Sequence, residues 1–160
     1  LVIFTPKAPL RMKESRSHVD EFTSGSFQEV LDDPRVTDKN AVKRIVLCSG
    51  KVAHDAMAER DKRNAAVAVV RVEQLYPFPI DQINEVISRY PNAKEIVWLQ
   101  EEPENMGPWH FVEHLIWRVK ERGFDLRHVA RVPSGSPATG SKAIHDQELA
   151  DLMDETFAGL

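Results

Sequence analysis

Residues 67–109 decide the fold of this chain and read VAVVRVEQLYPFPIDQINEVISRYPNAKEIVWLQEEPENMGPW. Val67–Val72 and Ile96–Leu99 are predicted as strands, and neither shows the alternation of polar and apolar residues that marks a strand with one face in solvent. Between them, apolar side chains recur at helical spacing, namely Ile80, Ile83, Val86, Ile87 and Tyr90. A buried strand, a helix and a second buried strand predict a parallel sheet.

The same alternation continues on both sides of this stretch. Val42–Cys48 is predicted as a strand and residues 51–64 as a helix. Downstream we predict a helix over residues 109–123, a strand over Leu126–Val132, and a closing helix over residues 141–157 that is capped by Ser141. The chain is therefore expected to be an α/β protein with a mainly parallel sheet of about five strands and helices on both faces.

The first forty residues differ from the rest. Leu1–Phe4 is predicted as a short strand that stops at Thr5-Pro6. This strand could pair antiparallel to the others. Residues 7–40 are expected to form a long surface connection that packs on a neighbour, with Phe27–Leu31 as a short helix or an edge strand. We expect one domain over residues 1–160, made of this part (1–40) and a βα core (41–160). The start without methionine inside a predicted strand suggests a piece of a longer chain.

The composition and charge of the chain argue against some classes of function. The net charge is −4, and the 21 Lys and Arg residues are scattered along the chain, which argues against nucleic-acid binding. The sequence has no long uncharged apolar run, so we expect no membrane span. The single cysteine, Cys48, lies in an apolar run, where it is expected to be buried, and a chain that cannot form an internal disulfide favours a reducing compartment.

The loop predicted after Leu99 concentrates polar groups. Gln100, Glu101, Glu102 and Asn105 occupy six residues, and Trp109 follows as a large anchor. In a parallel sheet the carboxyl ends of the strands gather functional groups, so this loop is expected to contact a partner. A second polar group, Arg71, interrupts a buried strand, so we expect its guanidinium to pair with Glu73 or with the Glu101-Glu102 pair.

Three weaker motifs each allow a functional and a purely structural interpretation. His110, Glu113 and His114 match a zinc-hydrolase pattern, although a third ligand is missing and a solvated helix face explains the spacing better. Ser49-Gly50-Lys51 follows a strand like a phosphate loop but lacks the preceding glycine of that motif. The small-residue loop 134–141, which includes Ser136, suits either a phosphate or a plain connector. No dinucleotide fingerprint, hydrolase elbow or cysteine pair is present.

Five motifs together resemble a known family. They are Phe4-Thr5-Pro6-Lys7 with Leu10-Arg11, the segment Cys48–Val52, the segment Val70–Pro79, the segment Gln100–Trp109, and Ser136-Pro137-Ala138. In this order they resemble the C-terminal domain of the thiamine diphosphate-dependent decarboxylating component of 2-oxoglutarate dehydrogenase. Met106 and Pro108 depart from the residues usual in that family, and the zinc-like pattern is not one of its features.

The resemblance implies a transketolase-like C-terminal fold that helps to form a homodimer. It implies a parent enzyme that decarboxylates 2-oxoglutarate in the tricarboxylic acid cycle and passes the succinyl group to the lipoyl group of a succinyltransferase partner. Thiamine diphosphate and magnesium would lie in the other domains, so no catalytic, cofactor-binding or metal-binding residue is expected in this chain. A nucleotide or acyl-CoA effector is a further expected partner, with Lys7, Arg11, Ser49, Lys51 and Arg131 as the phosphate-binding candidates.

Three functions remain open at this point. The first is a non-catalytic dimerisation and regulatory domain, located in the bacterial cytoplasm or the mitochondrial matrix. The second is a free-standing module that binds a small molecule near Ser49 and Ser136, and the third is a zinc hydrolase. The candidate interface or effector residues are Lys7, Arg11, Ser49, Lys51, Arg71, Gln100, Glu101, Glu102, Asn105, Trp109, Arg131 and Ser136.

Overall fold

A computed structural model describes residues 1–120 and 123–160. Two 3-10 turns, Ala8–Leu10 and Lys13–Ser15, come first. The other elements follow in the order α1 (Val19–Ser24), β1 (Val30–Leu31), β2 (Arg44–Cys48), α2 (Val52–Arg63), β3 (Val67–Val72), α3 (Ile80–Ser88), β4 (Glu95–Pro103), α4 (Trp109–Lys120), β5 (Asp125–Arg131) and α5 (Lys142–Phe157).

The described strands form one sheet in the order β1-β3-β2-β4-β5. Strands β2 to β5 run parallel, and the two-residue β1 lies antiparallel to β3 at the edge, with Val30 opposite Val72. Strands β2 and β3 are buried along almost their whole length, as expected for parallel strands covered on both faces. The structure confirms the predicted α/β fold and its five-stranded, mainly parallel sheet.

The core has two layers, one on each face of the sheet. On one face Ile83 of α3, Tyr90 just after that helix and Ile116 of α4 pack with Trp98 of β4. On the other face the apolar residues of α2 and α5 pack against β2, β3 and β4, among them Met57, Leu152 and Phe157. Helices therefore cover both faces, as predicted. No helix of the described ranges combines the length and the apolar character needed to span a membrane.

Two strand predictions were wrong. Leu1–Phe4 is exposed and forms no strand, because β1 already pairs with the free edge of β3 and local sequence alone supplies no ladder partner. Strand β4 continues to Pro103 instead of stopping at Leu99, so Gln100, Glu101 and Glu102 are strand residues and not loop residues. Proline is accommodated there because the pairing with β5 shifts register between Leu99 and Pro103.

Other predicted boundaries stand close to the observed ones. Strand β3 has the predicted bounds, and the hydroxyl of Ser141 caps α5 by accepting from the backbone N–H of Ile144 at 3.5 Å. The edge-strand alternative for Phe27–Leu31 is confirmed by β1. The predicted helix over residues 109–123 matches α4 as far as Lys120, whereas its residues 121 and 122 lie outside the described ranges.

Arg44 connects the first core strand to the last helix. Its guanidinium donates to the backbone carbonyls of Thr156 at 2.7 Å and Ala158 at 2.8 Å, and it pairs with Glu95 at 2.5 Å. The Arg44 side chain is only 5% exposed. Because these hydrogen bonds and the ion pair satisfy its donors, the Arg44 guanidinium can be buried at little cost in free energy. The same contacts hold α5 against the amino end of β2.

Two adjacent carboxylates attach the long connection to the core. The Asp33 carboxylate is completely buried, pairs with Arg60 of α2, and accepts from the backbone N–H of Val69 at 2.8 Å. Asp32 accepts hydrogen bonds from Lys39, Arg89 and the Tyr90 hydroxyl. Residues 32 and 33 thus contact both helical layers, α2 through one carboxylate and the end of α3 through the other.

We predict that Asp33→Asn lowers the free energy of unfolding by about 3–5 kcal/mol, since it removes the fully buried counter-charge of Arg60 and leaves only the half-exposed Asp61 carboxylate beside the guanidinium. Urea denaturation monitored by circular dichroism measures the change. Asp151→Asn on the exposed face of α5 is the matched control and should change stability by less than about 0.5 kcal/mol. Equal losses of stability in the two variants would show that the buried Asp33–Arg60 pair stabilises the fold no more than an exposed carboxylate does.

A second prediction concerns pH. Burial opposes ionisation of Asp32, but hydrogen bonds from Lys39, Tyr90 and Arg89 outweigh it and hold its pKa below the ordinary value. A depressed pKa contributes stability that is fully present above the unfolded-state pKa of about 3.9 and is lost as pH falls through the folded value. The stability difference between the wild type and Asp32→Asn should therefore be constant from about pH 5 to 7 and shrink below about pH 4. A difference that grows on acidification would contradict this assignment.

Candidate functional site

The carboxyl ends of β2, β4 and β5 converge on one edge of the sheet. Ser49 and Lys51 follow β2, Glu101 and Glu102 lie near the end of β4, and Arg131 is the last residue of β5. Because parallel strands end on the same side, the fold brings together groups as far apart in sequence as Ser49 and Arg131. This edge is the candidate site.

Glu101 joins the cations on either side of it. Its carboxylate lies 3.4 Å from the Lys51 ammonium and 3.8 Å from the Arg131 guanidinium. Lys51 also pairs with Asp55 one helical turn further along, at 2.6 Å. Burial disfavours the charge of Lys51, but the two carboxylates outweigh that effect and raise its pKa above the ordinary value. Both cations are therefore neutralised within the chain.

Arg131 is held mainly by α5. Its side chain is 7% exposed and lies 3.1 Å from the Glu148 carboxylate and 3.1 Å from Nδ1 of His145. A cavity of about 170 Å³ adjoins Arg131 and Glu148 and is otherwise enclosed by Pro103 and the loop that follows β5. Small uncharged residues of that loop, such as Ser136, form the outer wall, and the Ser136 hydroxyl donates to the carbonyl of Ala138.

Gln100 organises the turn between β4 and α4. Its amide nitrogen donates to the backbone carbonyls of Pro103 at 3.0 Å and Met106 at 2.9 Å, and its amide oxygen accepts from the backbone N–H of Trp109 at 3.0 Å and from the Trp98 indole at 3.4 Å. The residue is 2% exposed. One side chain thus supplies hydrogen-bond partners to two carbonyls and one N–H of the turn, of which the Pro103 carbonyl also accepts from the backbone N–H of Met106 at 2.8 Å.

Two further contacts fix this turn. The Asn105 side chain forms a pair of 2.9 Å hydrogen bonds with the backbone of Ser134, one donated and one accepted, and so ties the β4 turn to the β5 loop. Gly107 has a φ of +65°, and a Cβ there would lie 3.0 Å from the Glu102 side chain. The positive φ favours glycine at this position, and a larger residue would also have to push the Glu102 side chain aside.

The remaining candidate residues are Trp109, Arg71, Lys7 and Arg11, and not all of them have the surroundings that the sequence predicted. Trp109 is 6% exposed and stacks on His128 at a centroid distance of 4.2 Å, so its ring belongs to the core and not to a surface. Arg71 pairs with Glu73 at 3.5 Å, which confirms the first of its two expected partners. Lys7 and Arg11 lie on the N-terminal segment and are exposed.

The zinc-like pattern lies on the outer face of α4. His110, Glu113 and His114 are all exposed, and His114 contacts Phe111 edge to face. Among the residues that the structure describes, no group of three or more potential metal ligands comes together. The pattern therefore has the geometry of a solvated helix face.

A protein-family model described as 2-oxoglutarate dehydrogenase C-terminal matches residues 16–157. The chain belongs to this family. The match covers the parallel strands β2 to β5 and the helices α1 to α5. It also includes the Glu101 ion pairs, the turn between β4 and α4, and the hydrogen bonds between Asn105 and Ser134.

Curated relatives agree with this assignment. The chain is 42% identical over 161 residues to the 2-oxoglutarate dehydrogenase E1 component of Cupriavidus necator, which matches the whole chain. It is 40% identical over 162 residues to the E1 component of an Exiguobacterium species and 43% identical over 162 residues to the mitochondrial 2-oxoglutarate dehydrogenase of Caenorhabditis elegans, covering 99% and 98% of the chain. The chain spans 17%, 17% and 16% of the length of these three relatives.

Sequence reasoning missed three members of the site. His145 and Glu148 approach Arg131 only through the packing of α5 on the sheet, which no local pattern shows. Asp55 had a local signal, since it stands four residues after Lys51 at the start of a helix, a spacing that places the two side chains on one face. The sheet brings Lys51, Glu101 and Arg131 together, although the sequence had suggested Arg71 and not Lys51 or Arg131 as the cation beside Glu101.

We predict that Gln100→Glu lowers the free energy of unfolding by about 2–4 kcal/mol at neutral pH, because it removes a donor and turns a carboxylate oxygen toward two carbonyls. Protonation restores a donor, so the loss should diminish at acidic pH. Gln82→Glu, on the exposed first turn of α3, is the matched control and should be neutral or slightly stabilising. Thermal and urea denaturation measure both. A variant as stable as the control would contradict the structural role of Gln100.

Proposed function

We propose that this chain is the C-terminal, non-catalytic domain of a 2-oxoglutarate dehydrogenase E1 component and that it serves dimerisation and regulation. The complete polypeptide would decarboxylate 2-oxoglutarate in the tricarboxylic acid cycle and transfer succinyl to the lipoyl group of the succinyltransferase component. The names of the relatives support the parent reaction. Depending on its source, the protein would work in the bacterial cytoplasm or in the mitochondrial matrix.

The observation that carries the contact role is the exposure of the N-terminal segment. None of residues 1–28 is buried, although the segment is rich in large apolar side chains that stand mostly in solvent: Leu1, Val2, Ile3, Phe4, Leu10, Val19, Phe22 and Phe27. Apolar patches of this extent on a soluble protein mark contact surfaces. A domain with such a segment is suited to pack against other parts of a larger assembly.

The carboxylates of the candidate site do not fit thiamine diphosphate and magnesium. A pyrophosphate-bound magnesium ion needs several free oxygen ligands, whereas Asp55, Glu101 and Glu148 at the candidate site each already pair with Lys51 or Arg131. This pairing supports our proposal that the cofactors bind to other parts of the polypeptide and that this domain has a non-catalytic role. The internal pairing also disfavours a free-standing module that uses the same edge.

An anionic effector, such as a nucleotide or an acyl-CoA, remains part of the proposed regulatory role. At the strand ends it would have to displace Glu101 from Lys51 and Arg131, because both cations are already neutralised there. Lys7 and Arg11 have no carboxylate partner within the described ranges, so they are the more accessible phosphate contacts. Ser49, at the end of β2, could add a hydroxyl donor.

The test uses the complete polypeptide encoded by the gene, supplied with thiamine diphosphate and magnesium. The wild type should be dimeric by light scattering and should consume 2-oxoglutarate in the presence of an artificial electron acceptor. Glu101→Gln should leave kcat within about twofold, because the carboxylate serves ion pairs inside this domain, whereas loss of a catalytic acid or base costs about 10²–10⁴-fold.

The outcomes separate the parts of the proposal. A wild-type dimer without any 2-oxoglutarate turnover would overturn the assigned reaction. A folded Glu101→Gln variant, as judged by its thermal melt, whose kcat falls a hundredfold would overturn the non-catalytic role. Asp55→Asn, which removes the other carboxylate on Lys51, is the matched control, and it should behave like Glu101→Gln if both act through stability alone.

A further inference from the structure

We propose that His145, Arg131 and Glu148 form a proton-operated contact between α5 and the end of β5. Neutral His145 accepts a hydrogen bond from Arg131, whereas protonated His145 pairs with the Glu148 carboxylate and releases the guanidinium. This switch of partners is independent of the reaction that the complete polypeptide catalyses. Its consequence, a stronger attraction of Arg131 for anions at acidic pH, deepens the regulatory role and rests on the proposed function.

The contact between Arg131 and His145 fixes the state of the imidazole. Nη2 of Arg131 lies 3.1 Å from Nδ1 of His145. A guanidinium stays charged and only donates hydrogen bonds, so Nδ1 has to accept, and the ring is neutral with its hydrogen on Nε2. A proton on Nδ1 would remove the acceptor and place a second cation against Arg131. This contact therefore exists only while His145 is neutral.

A second partner for His145 lies one turn further along the same helix. Glu148 follows His145 by three residues, a spacing that places the two side chains on one face of α5. Oε2 of Glu148 is buried and accepts no hydrogen bond from the described residues, although it lies 3.1 Å from Nη1 of Arg131 as an ion pair. A protonated imidazole donates from both nitrogens, so it can supply the hydrogen bond that this oxygen lacks. Each protonation state of His145 thus has its own partner.

The Arg131 guanidinium is buried without satisfying all of its donors. Its side chain is 7% exposed, and its Nε has no hydrogen-bond partner among the described residues. A buried donor without a partner raises the free energy of the present arrangement, so the guanidinium can change partners at a small cost. Glu101, 3.8 Å from Nη2, remains as its counter-charge. Once Glu148 pairs with His145, Arg131 has lost one of its two carboxylates and attracts an outside anion more strongly.

The other charged groups of the elements that pack on α5 already have partners. On α5 itself, Lys142 pairs with Asp146, and on β4 the Glu101 carboxylate is shared between Lys51 and Arg131. Four charged residues of α2 line the groove between α2 and α5, and each of them is in an ion pair: Asp55, Glu59, Lys62 and Arg63. Glu148 therefore offers the protonated imidazole an acceptor oxygen that these ion pairs do not offer.

Amide hydrogen exchange of the complete polypeptide, followed by mass spectrometry, tests the switch. The readout is the protection of a peptide covering residues 141–150, which contains the N–H of His145 bonded to the Ser141 carbonyl, after correction for the intrinsic effect of pH. Histidine changes its charge between about pH 5 and 8, so measurements at about pH 8 and about pH 5.5 compare the two states. In the wild type we expect protection to fall about tenfold on acidification, because the start of α5 loses its contact with β5.

Three variants isolate the contact. His145→Asn supplies an uncharged acceptor in place of Nδ1, so its protection should change less than about twofold. Arg131→Gln has no guanidinium to release and should also change less than about twofold, whereas a response due only to the helix dipole would persist in it. His110→Asn, on the exposed face of α4, is the matched control and should keep the wild-type response. A wild type that acidification leaves unchanged overturns the proposal, as does a full response in His145→Asn. The His145→Asn result decides the matter if Arg131→Gln does not fold.

Sulfate, which keeps its charge over this pH range, tests the release of Arg131. The sulfate concentration that gives half of the change in protection of a peptide containing Arg131 should be about fivefold lower at about pH 5.5 than at about pH 8 in the wild type. In His145→Asn the two concentrations should be equal. Equal concentrations in the wild type overturn the release of Arg131. Neither readout uses turnover of 2-oxoglutarate or dimerisation, so a failure here is distinct from a failure of the proposed function.

Discussion

The extension of β4 to Pro103 is the constraint on which the candidate site depends. Successive side chains of a strand point to opposite faces, so Gln100 and Glu101 must serve different layers. Gln100 faces the α3 and α4 layer, where it satisfies the turn that leads to Trp109. Glu101 faces the α2 and α5 layer, where it lies between Lys51 and Arg131. A shift of one residue in this strand would exchange the two roles and bury the charge in the apolar layer.

Open parallel sheets usually leave the carboxyl ends of their strands free for ligands. In this chain the same edge is occupied by the protein's own side chains. Lysine and arginine, which in other proteins would attract phosphate, are held by Asp55, Glu101 and Glu148. Charged groups matched in this way stabilise one arrangement of the helices around the sheet and reduce the attraction for outside anions. The strand ends thus have the arrangement that binds ligands in other α/β proteins, but their charges are paired within this chain.

The sequence predicts the elements better than the contacts between them. The periodicity of residues 67–90 locates β3 and α3 because each period reports a local geometry. It fails for Glu101–Pro103, since two glutamates and a proline resemble a turn until the register shift against β5 is known. It also fails for Leu1–Phe4, where apolar residues suggest a strand but none of the described strands pairs with them. His145 and Glu148 could not be found, because their proximity to Arg131 depends on how a helix packs far along the chain.

The Arg44 contacts with residues 156 and 158 have a consequence for biosynthesis. The guanidinium is made more than 110 residues before the carbonyls that accept its hydrogen bonds. At about 5–20 residues per second, the ribosome needs about 6–22 seconds to reach them. During that interval β2, β3 and β4 can pair and Glu95 can neutralise the guanidinium, but the two donors that bind residues 156 and 158 must stay in water. The nascent sheet is therefore held open at one end until α5 arrives, and the domain can close only after almost all of its sequence has been synthesised.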